Sequence, residues 1–133
     1  MCTCGSSHIH RIGIIDDDEA VRDSICTVLE AQGYQASEYR SSQDYLRRAA
    51  DDCLLLIDIS MGGIDGLDLT DLLRKGGIRT PVVLMADIAN PWQSRRIAST
   101  ERCSALHKPV DPTALMAAIS TSMNETSCAT RPK

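Results

Sequence analysis

The sequence predicts an α/β fold, a doubly wound parallel sheet of five strands with five helices covering both faces. Three observations carry this. Short β-like apolar runs alternate with amphipathic helical stretches along the chain, the pattern of strands joined by right-handed helical crossovers. One run, CLLLI at 53–57, is apolar without interruption, as suits a central strand buried on both faces. The chain has 133 residues, 43% hydrophobic and 24% charged, which fits one domain with its own core and excludes bulk disorder.

The elements follow in order. RIGII at 11–15 is the first strand. Residues 20–33 are helical, with Val21, Ile25, Val28 and Leu29 on one face and Gly33 where a C-terminal cap belongs. QASEY at 35–39 alternates and reads as a strand near a sheet edge. SSQDYLRRAA is a short helix capped by Ser41 or Ser42. CLLLI is the third strand. After a Gly-rich loop, LDLTDLLRK is helical and Gly76–Gly77 end it. VVLM at 82–85 is the fourth strand, and Asn90–Pro91 is a cap and first-turn signal for WQSRRIAST. SALH at 104–107 is a weak fifth strand. Asp111–Pro112 repeats the cap signal before TALMAAISTSM, and residues 124–133 form a frayed, flexible tail. The domain is therefore expected over 11–123.

The net charge of −4, with no basic stripe, argues against direct DNA binding. No apolar window has the length of a membrane span, and the first residues lack the apolar stretch of a signal peptide, so a cytoplasmic protein is expected. Of the six cysteines, Cys26, Cys53 and Cys103 lie in or beside apolar segments and are read as small buried hydrophobes, with no disulfide framework. Cys2, Cys4, His8 and His10 offer donors for Zn²⁺ or copper. Their Cys-x-Cys spacing is tighter than structural zinc patterns, and residues 1–10 are read as a flexible tail.

The chemistry concentrates in acids at strand ends. Asp16 and Asp17 follow the first strand directly, and Asp58 follows the third. Function in such sheets gathers beyond the carboxyl ends of the strands, so neighbouring first and third strands would bring these carboxylates together. Converging carboxylates need a cation. Oxygen-only ligands point to a hard divalent ion, Mg²⁺ before Ca²⁺, with coordination positions left for water and a phosphate oxygen. Lys108 follows the fifth strand, where its ammonium can meet a carboxylate or a phosphoryl oxygen. The Lys108–Pro109 bond is a plausible cis peptide. Asp18 belongs to the first turn of the next helix, where its charge meets the positive end of the helix dipole.

With IIDDDEAVRDS, LLLIDISMGGIDGLDL, RTPVVLM and HKP in this order and spacing, the chain resembles the receiver domains of bacterial two-component response regulators from about Arg11 to Met123. The resemblance implies a flavodoxin-like sheet of strand order 2-1-3-4-5. It implies a signalling domain rather than an enzyme in its own right, with Asp58 as phosphoacceptor from a histidine kinase or phosphotransferase. Asp17, Asp58 and the main-chain carbonyl of Ser60 would ligate Mg²⁺, Asp16 would help through a water, and Lys108 would pair with the phosphoryl group. A stand-alone receiver signalling to a downstream protein target is the expectation.

The chain also departs from that pattern. The Thr or Ser expected at the end of strand four is Ala86, and the small uncharged residue after it is Asp87. The aromatic of strand five is Ala105, the usual Pro after the phosphoacceptor is Gly62, and STERCSA replaces a Gly-Ala step. The acid pocket is intact while the hydroxyl–aromatic pair is missing. The alternative is therefore a pseudo-receiver, a binding module with an acid pocket but no productive phosphorylation or conventional switch. A Mg²⁺-dependent phosphohydrolase is disfavoured, because Ser60 stands where such enzymes carry a second acid. Trp92 is read as a partly buried residue at a helix start, or alternatively as an interface aromatic replacing the missing one.

Overall fold

A computed structural model describes residues 10–48, 51–86 and 91–129, with side chains to residue 123. The strands are β1 (Arg11–Ile15), β2 (Gln35–Tyr39), β3 (Leu54–Asp58), β4 (Val82–Ala86) and β5 (Cys103–His107). The helices are α1 (Glu19–Ala31), α2 (Ser42–Arg48), α3 (Gly66–Lys75), α4 (Pro91–Ala98) and α5 (Pro112–Ala129). All paired strands run parallel in the order β2-β1-β3-β4-β5, so QASEY is an edge strand and CLLLI leads into the central one.

Alternation along the strands divides the core into two layers. Ile15, Leu55, Ile57, Val82 and Leu84 face one side, where Tyr45 of α2, Leu67, Leu69 and Leu73 of α3 and Ile97 of α4 cover them. Ile12, Ile14, Leu54, Leu56, Val83 and Met85 face the other, under Ile25 and Leu29 of α1 and Leu115 and Ile119 of α5. Each fully buried Leu or Ile contributes roughly 1.5–3 kcal/mol. β3 draws on both layers, which is why its run has no polar interruption before Asp58.

Local signals resolve several alternatives. Ser41, not Ser42, caps α2 by accepting the Asp44 N–H (2.9 Å), while the Ser42 hydroxyl donates to the Ile64 carbonyl (2.8 Å). Gly33 takes φ +92°, with Tyr34 N–H donating to Leu29 O and Gly33 N–H to Glu30 O, a Schellman ending for α1. Gly77, at φ +84°, ends α3 in the same way, with Ile78 N–H donating to Leu73 O. Asp111 accepts the Ala114 N–H (2.9 Å) at the start of α5. That helix continues past Met123 to Ala129, further than the polar composition of the segment suggests. The capping signal at Asn90 and the remaining residues of the expected C-terminal tail, 130–133, lie outside the described residues. No helix among the described residues is long and apolar enough to cross a membrane.

Cys53 is buried as expected, but the expectation that it takes no part in a disulfide is corrected. Cys53 is buried and disulfide-bonded, whereas Cys26 and Cys103 are free. Its N–H donates to Arg11 O (2.7 Å), which brings the chain entering β1 alongside, and the His10 Nδ1 lies 3.8 Å from its sulfur. That proximity comes from strand pairing, which cysteine spacing does not reveal. Cys2, Cys4 and His8 lie outside the described residues.

Candidate functional site

β1 and β3 are adjacent and in register from Ile12↔Leu54 to Ile15↔Ile57, so the residues after Ile15 and Ile57 emerge side by side. Asp16, Asp17 and Asp58 each offer a carboxylate oxygen, and these oxygens all lie within 4.8 Å of one another. Asp16 and Asp58 are buried, at 1% and 4% exposure, while Asp17 is exposed. Lys108 directly follows β5, just before the cis Lys108–Pro109 bond, and its Nζ donates to Asp58 Oδ1 at 2.7 Å. The Ser60 N–H donates to the same oxygen at 3.1 Å. Among the described residues, both donors take Oδ1 and none takes Asp58 Oδ2.

The loop after β1 is ordered by its own acids. Asp18 caps α1, accepting from the Ala20 and Val21 N–H groups, so it serves as the N-cap rather than a first-turn residue. Asp16 Oδ1 accepts the Asp18 N–H (2.9 Å), while Asp16 Oδ2 is buried without a hydrogen-bond partner. Burial is the main cause that lifts the Asp16 carboxyl from 3.8 to about 6. The Asp18 N–H opposes this, the Asp58 charge adds to it, and Lys108 offsets part. An orphaned buried carboxylate oxygen beside two more carboxylates is the donor set a hard divalent cation requires, so these residues fit Mg²⁺. Asp16, Asp17 and Asp58 would hold it.

Sequence reading did not anticipate two supports of the site, Gly66 and Arg22, or a buried carboxylate remote from it, Asp52. Gly66, the first residue of α3, lies so close beneath the pocket that a Cβ there would stand 2.9 Å from Asp58 O, Ile59 Cα and Leu84 Cδ2. The Gly-rich composition of the loop hinted at close packing without indicating which glycine requires it. Arg22 of α1 is buried, donating through NH1 to Asp16 O (2.7 Å) and through Nε to Glu38 Oε1 (3.1 Å). Asp52, buried just before β3, accepts from the Tyr39 hydroxyl (2.7 Å) at the opposite end of the sheet.

The atypical positions fall where the strands place them. Ala86 ends β4, buried, and its carbonyl accepts the Lys108 N–H (3.0 Å), so a methyl stands near the pocket where a hydroxyl was expected. Ala105 is half-buried and packs against the α3–α4 layer. Asp87 lies outside the described residues. Trp92 is 61% exposed, with Arg96 stacked over its ring at 5.6 Å, so it does not have the partly buried setting expected of it. Arg96 in turn pairs with Asp71 of α3 at 2.8 Å.

Residues 12–120 match the family model described as response regulator receiver domain. The transcriptional regulatory protein FixJ of Azorhizobium caulinodans is 29% identical over 117 residues, covering 84% of this chain and 54% of that protein. The phosphate regulon transcriptional regulatory protein PhoB of Klebsiella pneumoniae is 30% identical over 122 residues, covering 88% and 53%. The chain thus spans about half the length of these curated relatives. Among solved structures, a CheY-like response regulator receiver domain protein from Methanospirillum hungatei shares 24% identity and a TM-score of 0.80, over 90% of this chain and 98% of that one. Chemotaxis protein CheY4 of Vibrio cholerae gives 0.78 at 18% identity, over 86% and 98%. Both share the fold.

Proposed function

The chain belongs to the response regulator receiver domain family, and from that premise we propose that it accepts a phosphoryl group on Asp58 from a histidine kinase or phosphotransferase in the cytoplasm. The observation that carries the reading is the Asp58 carboxylate, which has one oxygen tied to Lys108 and Ser60 and stands within reach of Asp16 and Asp17. Asp58 Oδ2 attacks phosphorus, the P–O bond forms as the donor's P–N bond breaks, and the imidazole nitrogen leaves with the bonding electron pair. The Lys108 ammonium then meets charge on the phosphoryl oxygens, and burial around Asp16 and Asp58 keeps that interaction strong. Mg²⁺, when bound, offsets carboxylate and phosphoryl charge during the transfer. Phosphoryl transfer makes the domain a signalling acceptor rather than a classical enzyme, with output through protein contacts.

Ala86 favours a second reading, in which the pocket binds Mg²⁺ but supports no conventional switch. A methyl at the end of β4 cannot hydrogen-bond a phosphoryl oxygen, and Ala105 has no ring to move in response. A state change needs differential contacts of this kind. One experiment separates the readings: incubation with Mg²⁺ and a small phosphodonor, followed by intact-mass measurement. The first reading expects a gain of one phosphoryl group that Asp58→Asn abolishes. Mg²⁺ binding without any mass gain would overturn it in favour of the second.

A further inference from the structure

We infer that Arg22, oriented by Glu38, is a positioning residue that sets the Asp16–Asp17 pair for cation binding, an inference that rests on the proposed Mg²⁺-dependent function. Each polar atom of Asp16 but one is held by protein. Its N–H donates to Tyr39 O (3.1 Å), its carbonyl accepts from Arg22 NH1 (2.7 Å), and Oδ1 accepts from Asp18 N–H (2.9 Å). Only Oδ2 is left, buried and without a partner.

The contact to the carbonyl reaches beyond Asp16. That carbonyl belongs to the peptide joining Asp16 to Asp17, so fixing its plane fixes the direction in which Asp17 leaves the strand. Asp17 is exposed. Arg22 is well suited to the task. Its guanidinium is planar and presents donors at fixed angles, one to Asp16 O and one to Glu38 Oε1. Glu38 sits on the edge strand β2, opposite Ile14 of β1, so it anchors the fork from outside the pocket. Arg22 is itself tied into the first turn of α1, its N–H donating to Asp18 O (3.1 Å). The loop, the helix and the edge strand thus meet at one side chain that touches neither the reacting oxygen nor any carboxylate of the pocket. Outer groups of this kind tune metal sites through the ligands they orient.

The test uses the full chain, with Mg²⁺ dissociation constants from isothermal titration and urea midpoints measured in EDTA. Arg22→Gln is expected to weaken Mg²⁺ binding roughly tenfold, and Glu38→Ala by a smaller factor. Glu38→Gln keeps an oxygen for Arg22 Nε and is expected to stay within about twofold of the wild type. A purely structural clip would move the EDTA midpoints and leave the Mg²⁺ constants alone, so unchanged constants in Arg22→Gln overturn the inference. Should Arg22→Gln fail to fold, indistinguishable constants for Glu38→Ala and Glu38→Gln overturn it instead. A wild-type chain that binds no Mg²⁺ overturns the functional reading, and this inference with it. Binding in the wild type with no effect of the variants overturns the positioning role alone.

Discussion

Asp16→Asn isolates the electrostatic cost built into the pocket. The Asp16 carboxyl is raised from 3.8 to about 6, chiefly by burial. A carboxyl raised on folding binds its proton more tightly in the native state, so its contribution to stability is intact below about pH 4 and is lost as pH climbs through about 6. A shift of about two pH units corresponds to about 3 kcal/mol at neutral pH, an upper figure for a group sharing charge with Asp58 and Lys108. Asparagine keeps an oxygen for the Asp18 N–H and places a neutral amide at the orphaned Oδ2, removing one of three carboxylates clustered within 4.8 Å. Urea unfolding in EDTA should therefore find the variant more stable than wild type near pH 7 by up to about 3 kcal/mol, with the difference gone near pH 4. Added Mg²⁺ should reverse the order, because the wild type gains stability by mass action and the variant loses a cation ligand. Parallel curves for the two proteins from about pH 4 to 7 would refute the reasoning.

Two further changes probe one support of the site and the buried carboxylate remote from it. Gly66→Ala would place a methyl 2.9 Å from the Asp58 carbonyl and Ile59 Cα, backbone atoms with no room to yield. It should cost about 1–3 kcal/mol in urea unfolding and slow mass gain from a phosphodonor. An unperturbed variant would mean that α3 does not set the height of the Asp58 loop. Tyr39→Phe removes the hydroxyl that donates to the buried Asp52, whose other oxygen already lacks a partner. A loss of about 1–3 kcal/mol is expected, with phosphorylation of Asp58 unchanged, since Asp52 lies at the far end of β3. A stability change below about 0.5 kcal/mol would show that Tyr39 does not sustain that carboxylate.

Much of the fold is legible in the chain because its signals are local. The uninterrupted CLLLI run shows a strand wanted by two apolar layers, and both layers are there. Gly33 and Gly76–Gly77 announce helix ends because a left-handed residue is cheapest as glycine, and Gly33 and Gly77 take positive φ. The position of Asp18 was readable only as near a helix start, since capping and first-turn roles share a composition and differ in backbone angle. The end of α5 was misjudged for a related reason: NETSCA carries few helix-favouring residues, yet the helix continues through it to Ala129.

The candidate site divides along the same line. Asp16, Asp17, Asp58 and Lys108 were visible in the sequence because each lies at or just past the carboxyl end of a strand, and a parallel sheet puts its strand ends on one edge. What the sequence by itself determined was therefore the inventory of the pocket and the chemistry its oxygens favour. The tertiary structure decided how those residues are held: which Asp58 oxygen Lys108 takes, which Asp16 oxygen stays bare, and that Arg22, Glu38 and Gly66 set the loops. It also decided that Cys53 is bonded and that Trp92 faces solvent. Most of these are contacts between residues far apart in the chain, each depending on distances between elements that only packing sets, so no local pattern encodes them.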